Sequence, residues 1–241
     1  MAKEDFIFMN QIESHEWQSS ALFRLVGYGL LLFVLFDLIT VLVPPRLMNP
    51  VWEFQTIGAI VERVPLPLLG FVLIFYGEGN FRSKWEVLFL KILSWAAFLI
   101  AIFLFLLIPL GISNTLRINE INNTQLTTQT TQQMSQLEQF QEQLNKATSN
   151  DLQSLLTRVQ AQDRNTQDIK NPDDLKKRLL TEANKTQENL KNQAESIRKN
   201  KRLELLKSSL KWNLGALIAG ILFIRIWQAT GWARQSARRR R

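Results

Sequence analysis

The chain has 241 residues, a net charge of +8, no cysteine and a single histidine, His15. Without cysteine there is no disulfide, no cysteine-linked lipid anchor and no thiolate metal site, and one histidine argues against a histidine triad or a histidine-based metal centre. The apolar residues, 46% of the total, are gathered into blocks, which points to an integral membrane protein and not a soluble globule.

The charge is also segregated. Residues 1–111 hold 7 basic and 9 acidic side chains, residues 112–211 hold 16 and 12, and residues 212–241 hold 6 and 0. The excess sits at the C-terminus, so the basic balance implies no nucleic-acid partner.

Residues 1–21 read as a polar tail without the basic n-region and small-residue cleavage site of a secretory signal. A three-span membrane region over 22–111 follows. Its first span, Leu22 to Val43, is about 22 residues long, enough to cross a hydrocarbon layer of about 30 Å, and Pro44-Pro45 ends it. Arg24 lies at its start, placed to snorkel, and Asp37 lies inside its second half.

The second span, around 57–76, is expected to be kinked or broken near Pro65 and Pro67, with an interfacial helix from Pro50 to Ile60 as the alternative. The third runs from Val87 to Leu110, and Pro109 and Gly111 are expected to loosen its end. The fourth span occupies 212–229, and an Arg-rich tail, 230–241, follows it.

Between the third and fourth spans lies a polar arm, 112–211. From Ile121 to Asn150 it carries 8 Gln, 6 Thr and 4 Asn, and Phe140 is its one aromatic. Such a stretch buries too little apolar surface to form a globule. Met134, Leu137, Gln141 and Leu144 step at helical spacing, as do Leu152, Leu155, Val159 and Gln162. Asn171-Pro172-Asp173-Asp174 reads as a helix start, and no further Pro or Gly interrupts the chain before Trp212.

If helical, Ile112 to Ala147 and Pro172 to Lys211 span roughly 54 and 60 Å. The matched lengths predict an extramembrane antiparallel hairpin or coiled coil, with Ser149 to Asp168 as a third helix or cap. A solvated Gln-rich loop is the alternative. The fold class expected is therefore all-α, with about four transmembrane helices and this arm.

Positive charge near the short loops places both termini in the cytoplasm and the arm in a periplasm or lumen. Arg238, Arg239, Arg240 and Arg241 then act as a topology anchor or meet anionic lipid. An acidic residue within a span needs a partner; Arg63 is the expected partner of Asp37, a structural intramembrane pair, with Glu62 turned to the surface; Asp37 reaching the outer head groups alone is the alternative.

No nucleophile stands at recognisable spacing from a base, and Gly77-Glu78-Gly79 lacks the rest of a phosphate loop. The residues point to no catalytic, cofactor or metal site, and so to no enzyme.

The first half of the chain resembles a known family. Asp37, the Val43-Pro44-Pro45 exit, Asn49-Pro50-Val51-Trp52-Glu53, Val61-Glu62-Arg63, Pro67-Leu68-Leu69-Gly70 and Ile108-Pro109-Leu110 follow one another as in the cyanobacterial HpsJ-type family, whose founding members serve hormogonium polysaccharide secretion. Here Val64-Pro65 intervenes between the acidic–Arg pair and the Pro-Leu-x-Gly element.

The resemblance implies an accessory membrane protein of exopolysaccharide export, with Trp52, Glu53, Glu62, Pro67 and Gly70 as interface or motif residues. The expected function is a non-enzymatic scaffold in the plasma membrane, or alternatively the thylakoid membrane. Through the 112–211 arm it would contact membrane-protein partners or a second copy of itself. A membrane signal transducer, an assembly factor for another membrane complex and a transport subunit centred on Asp37 are the rivals.

Overall fold

The computed structural model describes residues 2–76, 84–162 and 171–235, and among them there is no strand. The elements are α1 (Ala2–Leu42), α2 (Pro50–Arg63), α3 (Pro65–Phe75), α4 (Lys84–Lys146), α5 (Ser149–Gln162), α6 (Pro172–Ala229) and α7 (Gly231–Gln235). Four stretches are long and apolar enough to cross a membrane: Ser20–Leu42, Pro50–Phe75, Trp85–Lys146 and Pro172–Ala229. The chain divides into two compact units, residues 1–118 with 206–241, and residues 119–205.

In the first unit, α1 takes in the tail as well as the first span and stops just before Pro44-Pro45. The chain turns at Met48, whose φ of 72° lies in the left-handed region, and its N–H donates to Glu53 Oε1 at 3.0 Å. Asn49 then caps α2, its Oδ1 accepting from the N–H groups of Val51 and Trp52, while Pro50 sits where no backbone donor is needed.

The helix of the second span thus begins at Pro50 and not near residue 57, because the Asn-Pro pair supplies a complete N-terminus. It breaks at Val64. Pro65 has no N–H for a helical bond, and the Val64 N–H closes a tighter turn onto the Val61 carbonyl at 3.3 Å. The chain re-enters a helix at once as α3.

Small residues set how closely these helices approach. A Cβ on Gly27 of α1 would stand 2.9 Å from the Gly70 carbonyl oxygen of α3, and one on Gly220 of α6 would stand 2.9 Å from the Phe105 ring of α4. Ala97 and Ala101 of α4 and Ala216 and Ala219 of α6 are buried with Phe71, Ile74, Leu104 and Phe223 in one apolar core. Where lipid tails are as apolar as the side chains, close packing of this kind holds helices together.

The loosened end expected at Pro109 is absent: α4 continues through it for 63 residues in all. Proline costs one backbone bond, which is tolerated where flanking turns and neighbouring helices hold the segment. Thr115 Oγ1 donates to the Gly111 carbonyl and also meets Ser209 Oγ of α6, at 2.8 and 2.9 Å.

In the second unit, α5 and the start of α6 share a small core. Leu156 and Leu175 form it with Leu155 and Leu179 packed against them, and Leu144, Leu152 and Ala183 are also buried in this unit. Lys176 reaches the Asn145 carbonyl, Gln141 meets Asn184, and Arg198 meets Thr127. Residue numbers fall along one helix as they rise along the other, so α4 and α6 pair antiparallel here.

The apolar steps of the sequence account for only part of that core. Met134, Leu137 and Gln141 are half-buried, and Leu156, outside the predicted steps, is buried beside the half-buried Leu155, which packs against it and Leu175. The side chains of Val159 and Gln162 lie outside the described residues. Thr148 and Asp151 form the start of α5, the carboxylate accepting from the Thr148 hydroxyl at 2.6 Å and from its N–H at 3.1 Å. Asn171 takes the corresponding place at α6, accepting from the Asp173 N–H at 3.4 Å.

Candidate functional site

Glu62 and Arg63 are the last two residues of α2. Neighbouring positions on a helix point about 100° apart, so the two side chains serve different neighbours. Arg63 Nε donates to Asp37 Oδ2 of α1, and its Nη1 donates to the Ala59 carbonyl at 3.0 Å. Glu62 Oε1 accepts from Lys211 Nζ at 2.6 Å and from Trp212 Nε1 at 3.1 Å, both on α6.

Asp37, Arg63, Glu62 and Lys211 therefore form a belt of alternating charge across α1, α2 and α6, at the level of the break in the second span. Glu62 is correspondingly not a bare surface group, although half of its side chain remains exposed. Trp212, which the sequence suggests only as an interfacial anchor, is central to this belt. Its ring lies 4.6 Å from that of Phe54 and directly over Gly58, where a Cβ would come within 2.3 Å of it.

A second tier joins α2, α4 and α6. Glu53 Oε2 accepts from Asn114 Nδ2 at 2.8 Å while its other oxygen holds the Met48 loop. Asn114 is fully buried, and its Oδ1 has no partner among the described residues. Asn213 donates to the Ser209 carbonyl at 2.8 Å and stands beside Gly111.

The opposite end of the first unit has its own ties. Arg24 donates to Glu86 of α4 at 2.8 Å and to the Ser20 carbonyl, and this ion pair is the most enclosed among the described residues, with side-chain exposures of 13% and 24%. Ser94 and Thr230, both buried, share a hydrogen bond of 2.8 Å. Arg234 donates to Ser94 and lies 4.3 Å over the Trp227 ring.

The family-motif residues thus divide by task. Glu53 and Glu62 make interhelical bonds, Gly70 permits the close approach of α1, Trp52 is half-buried beside the Asn49 cap, and Pro67 borders an apolar crevice. Arg238, Arg239, Arg240 and Arg241 lie outside the described residues. Sequence reasoning misses Glu86, Lys211, Asn114 and Ser94, since a lone polar residue at a helix end resembles solvated surface until its partner is in place.

No curated protein and no solved structure matches the chain. The family model described as HpsJ-like protein matches residues 18–231, which takes in all four apolar stretches and the whole of the second unit. The chain belongs to the HpsJ-like family.

Proposed function

We propose that this protein is a non-enzymatic membrane scaffold of an exopolysaccharide secretion apparatus in a cyanobacterium. The observation that carries the reading is the family match over residues 18–231, whose name points to hormogonium polysaccharide secretion. The interhelical ties favour a static framework. Charged and polar side chains that elsewhere would line a path are engaged between helices, Asp37 with Arg63 and Glu62 with Lys211.

In this reading the four apolar stretches cross the plasma membrane, both termini are cytoplasmic, and the 112–211 arm meets membrane-protein partners or a second copy as a coiled coil on the far side. Its apolar seam is thin, and short polar coils are weak alone.

Crosslinking in intact cells tests this. Single cysteines at Gln132 and Asn192, both exposed, should capture export or glycan-synthesis components, identified by mass spectrometry. Capture of signalling or photosynthetic proteins instead would replace the scaffold reading with the signal-transducer or assembly-factor one.

A further inference from the structure

We infer that a crevice beside the belt is a binding site for a segment of one acyl chain of a glycerophospholipid, the part nearest the head group, with Arg63 at the head-group end. The crevice has a volume of about 140 Å³ and lies between α1, the α2–α3 break, α4 and α6. Val64, Leu104 and Phe223 form its floor and are buried, at 6%, 1% and 0% exposure. Val34, Leu38 and Val41 of α1 form one wall.

Two unequal ties create it. At Gly27 and Gly70 the backbones of α1 and α3 nearly touch, with room for no side chain between them. Ten residues further along α1, the link to the second span is the whole length of the Arg63 side chain reaching Asp37. Between these points the short, β-branched Val34 and Val41 line a gap that they do not close. Pro65 and Pro67 bring no backbone N–H to the start of α3, and Pro67 lines the crevice.

The shape and chemistry suit one occupant. From Val34 to Val41 is roughly 10 Å along the helix, and with a volume of about 140 Å³ the crevice has room for one short hydrocarbon segment. Apolar cavities of this size stay dry and take up apolar ligands, and the rim opens at Phe103, which is 49% exposed. Within a bilayer the available filler is hydrocarbon. Arg63 adds direction: Asp37 and the Ala59 carbonyl engage two of the five donors of a guanidinium, and a phosphate oxygen is the natural acceptor for others.

The test uses the full-length chain in mild detergent, exchanged through micelles carrying equal amounts of phosphatidylglycerol and a neutral galactosyl diacylglycerol. Lipid retained after gel filtration is quantified by mass spectrometry. Stoichiometric phosphatidylglycerol is expected. Val34→Phe, which fills the slot, should lower retention by roughly tenfold or more while the thermal midpoint holds or rises, and Leu38→Phe serves the same purpose should the first variant fail to fold. Arg63→Lys should keep the preference for the phospholipid and Arg63→Gln should abolish it. A wild-type chain that retains no stoichiometric lipid, or a filled variant that retains as much, would overturn the site. Equal retention of the galactolipid would overturn the role of Arg63.

Discussion

Gly58 illustrates how one residue decides the belt. The Trp212 ring occupies the space of its missing side chain, which lets the indole N–H reach Glu62. Gly58→Ala should force the ring outward and lower stability by about 1–3 kcal/mol, the usual cost of overpacking. A lower thermal midpoint in detergent is the check, and Trp212→Leu should remove most of the sensitivity to Ala at position 58. Asp37 and Arg63 are each about 40% exposed, so the protein encloses their pairing only in part. In a double-mutant cycle with Asp37→Asn and Arg63→Gln, we expect a coupling of about 1 kcal/mol. Loss of export from Asp37→Asn with normal assembly would instead favour the transport rival.

At the scale of elements, α5 depends on two features. Leu156 packs on the fully buried Leu175 of α6, and Leu175→Ala should cost about 2–4 kcal/mol, seen as faster amide exchange across 149–156. The Thr148 hydroxyl, and after it the Thr148 N–H, hold the Asp151 carboxyl below its ordinary value. A group whose folded pKa is depressed stabilises the fold above its unfolded pKa and loses that contribution as pH falls through the folded one. Protection of the first turn of α5 should therefore be steady above about pH 4 and fade below it, and Asp151→Asn should flatten this response. The helix start at Asn171 is legible in the sequence because a cap is a local device: one side chain, its own backbone and a following proline suffice. Asn49-Pro50 carries the same device, yet the second span is expected to begin near residue 57 because hydropathy and not capping sets that boundary. The continuation of α4 through Pro109 is not, since neighbouring turns and helices decide whether a proline breaks a helix or is absorbed.

For the whole molecule, the scaffold reading predicts a division of labour between the two compact units. Replacing residues 119–205 by a short flexible linker should leave membrane insertion intact, by protease protection of the remaining chain, and abolish copurification with partners. Retention of the same partners would place their contacts on the apolar stretches instead. What the sequence by itself determines is the all-helical class, the four apolar stretches and the polar arm, because hydropathy and helix periodicity are sums over neighbouring residues. Asp37 demands a partner for the same local reason, an acidic group amid apolar ones. Beyond Asp37 with Arg63, which residues meet across the chain was decided only by the tertiary structure: Glu62 with Lys211 149 positions away, Glu86 with Arg24 62 away, Asn114 with Glu53 61 away. The relative register of two helices depends on where glycines and alanines let backbones approach, as at Gly27 with Gly70 and at Gly220 with Phe105. That register turns isolated polar residues into a connected framework, with the apolar crevice beside it.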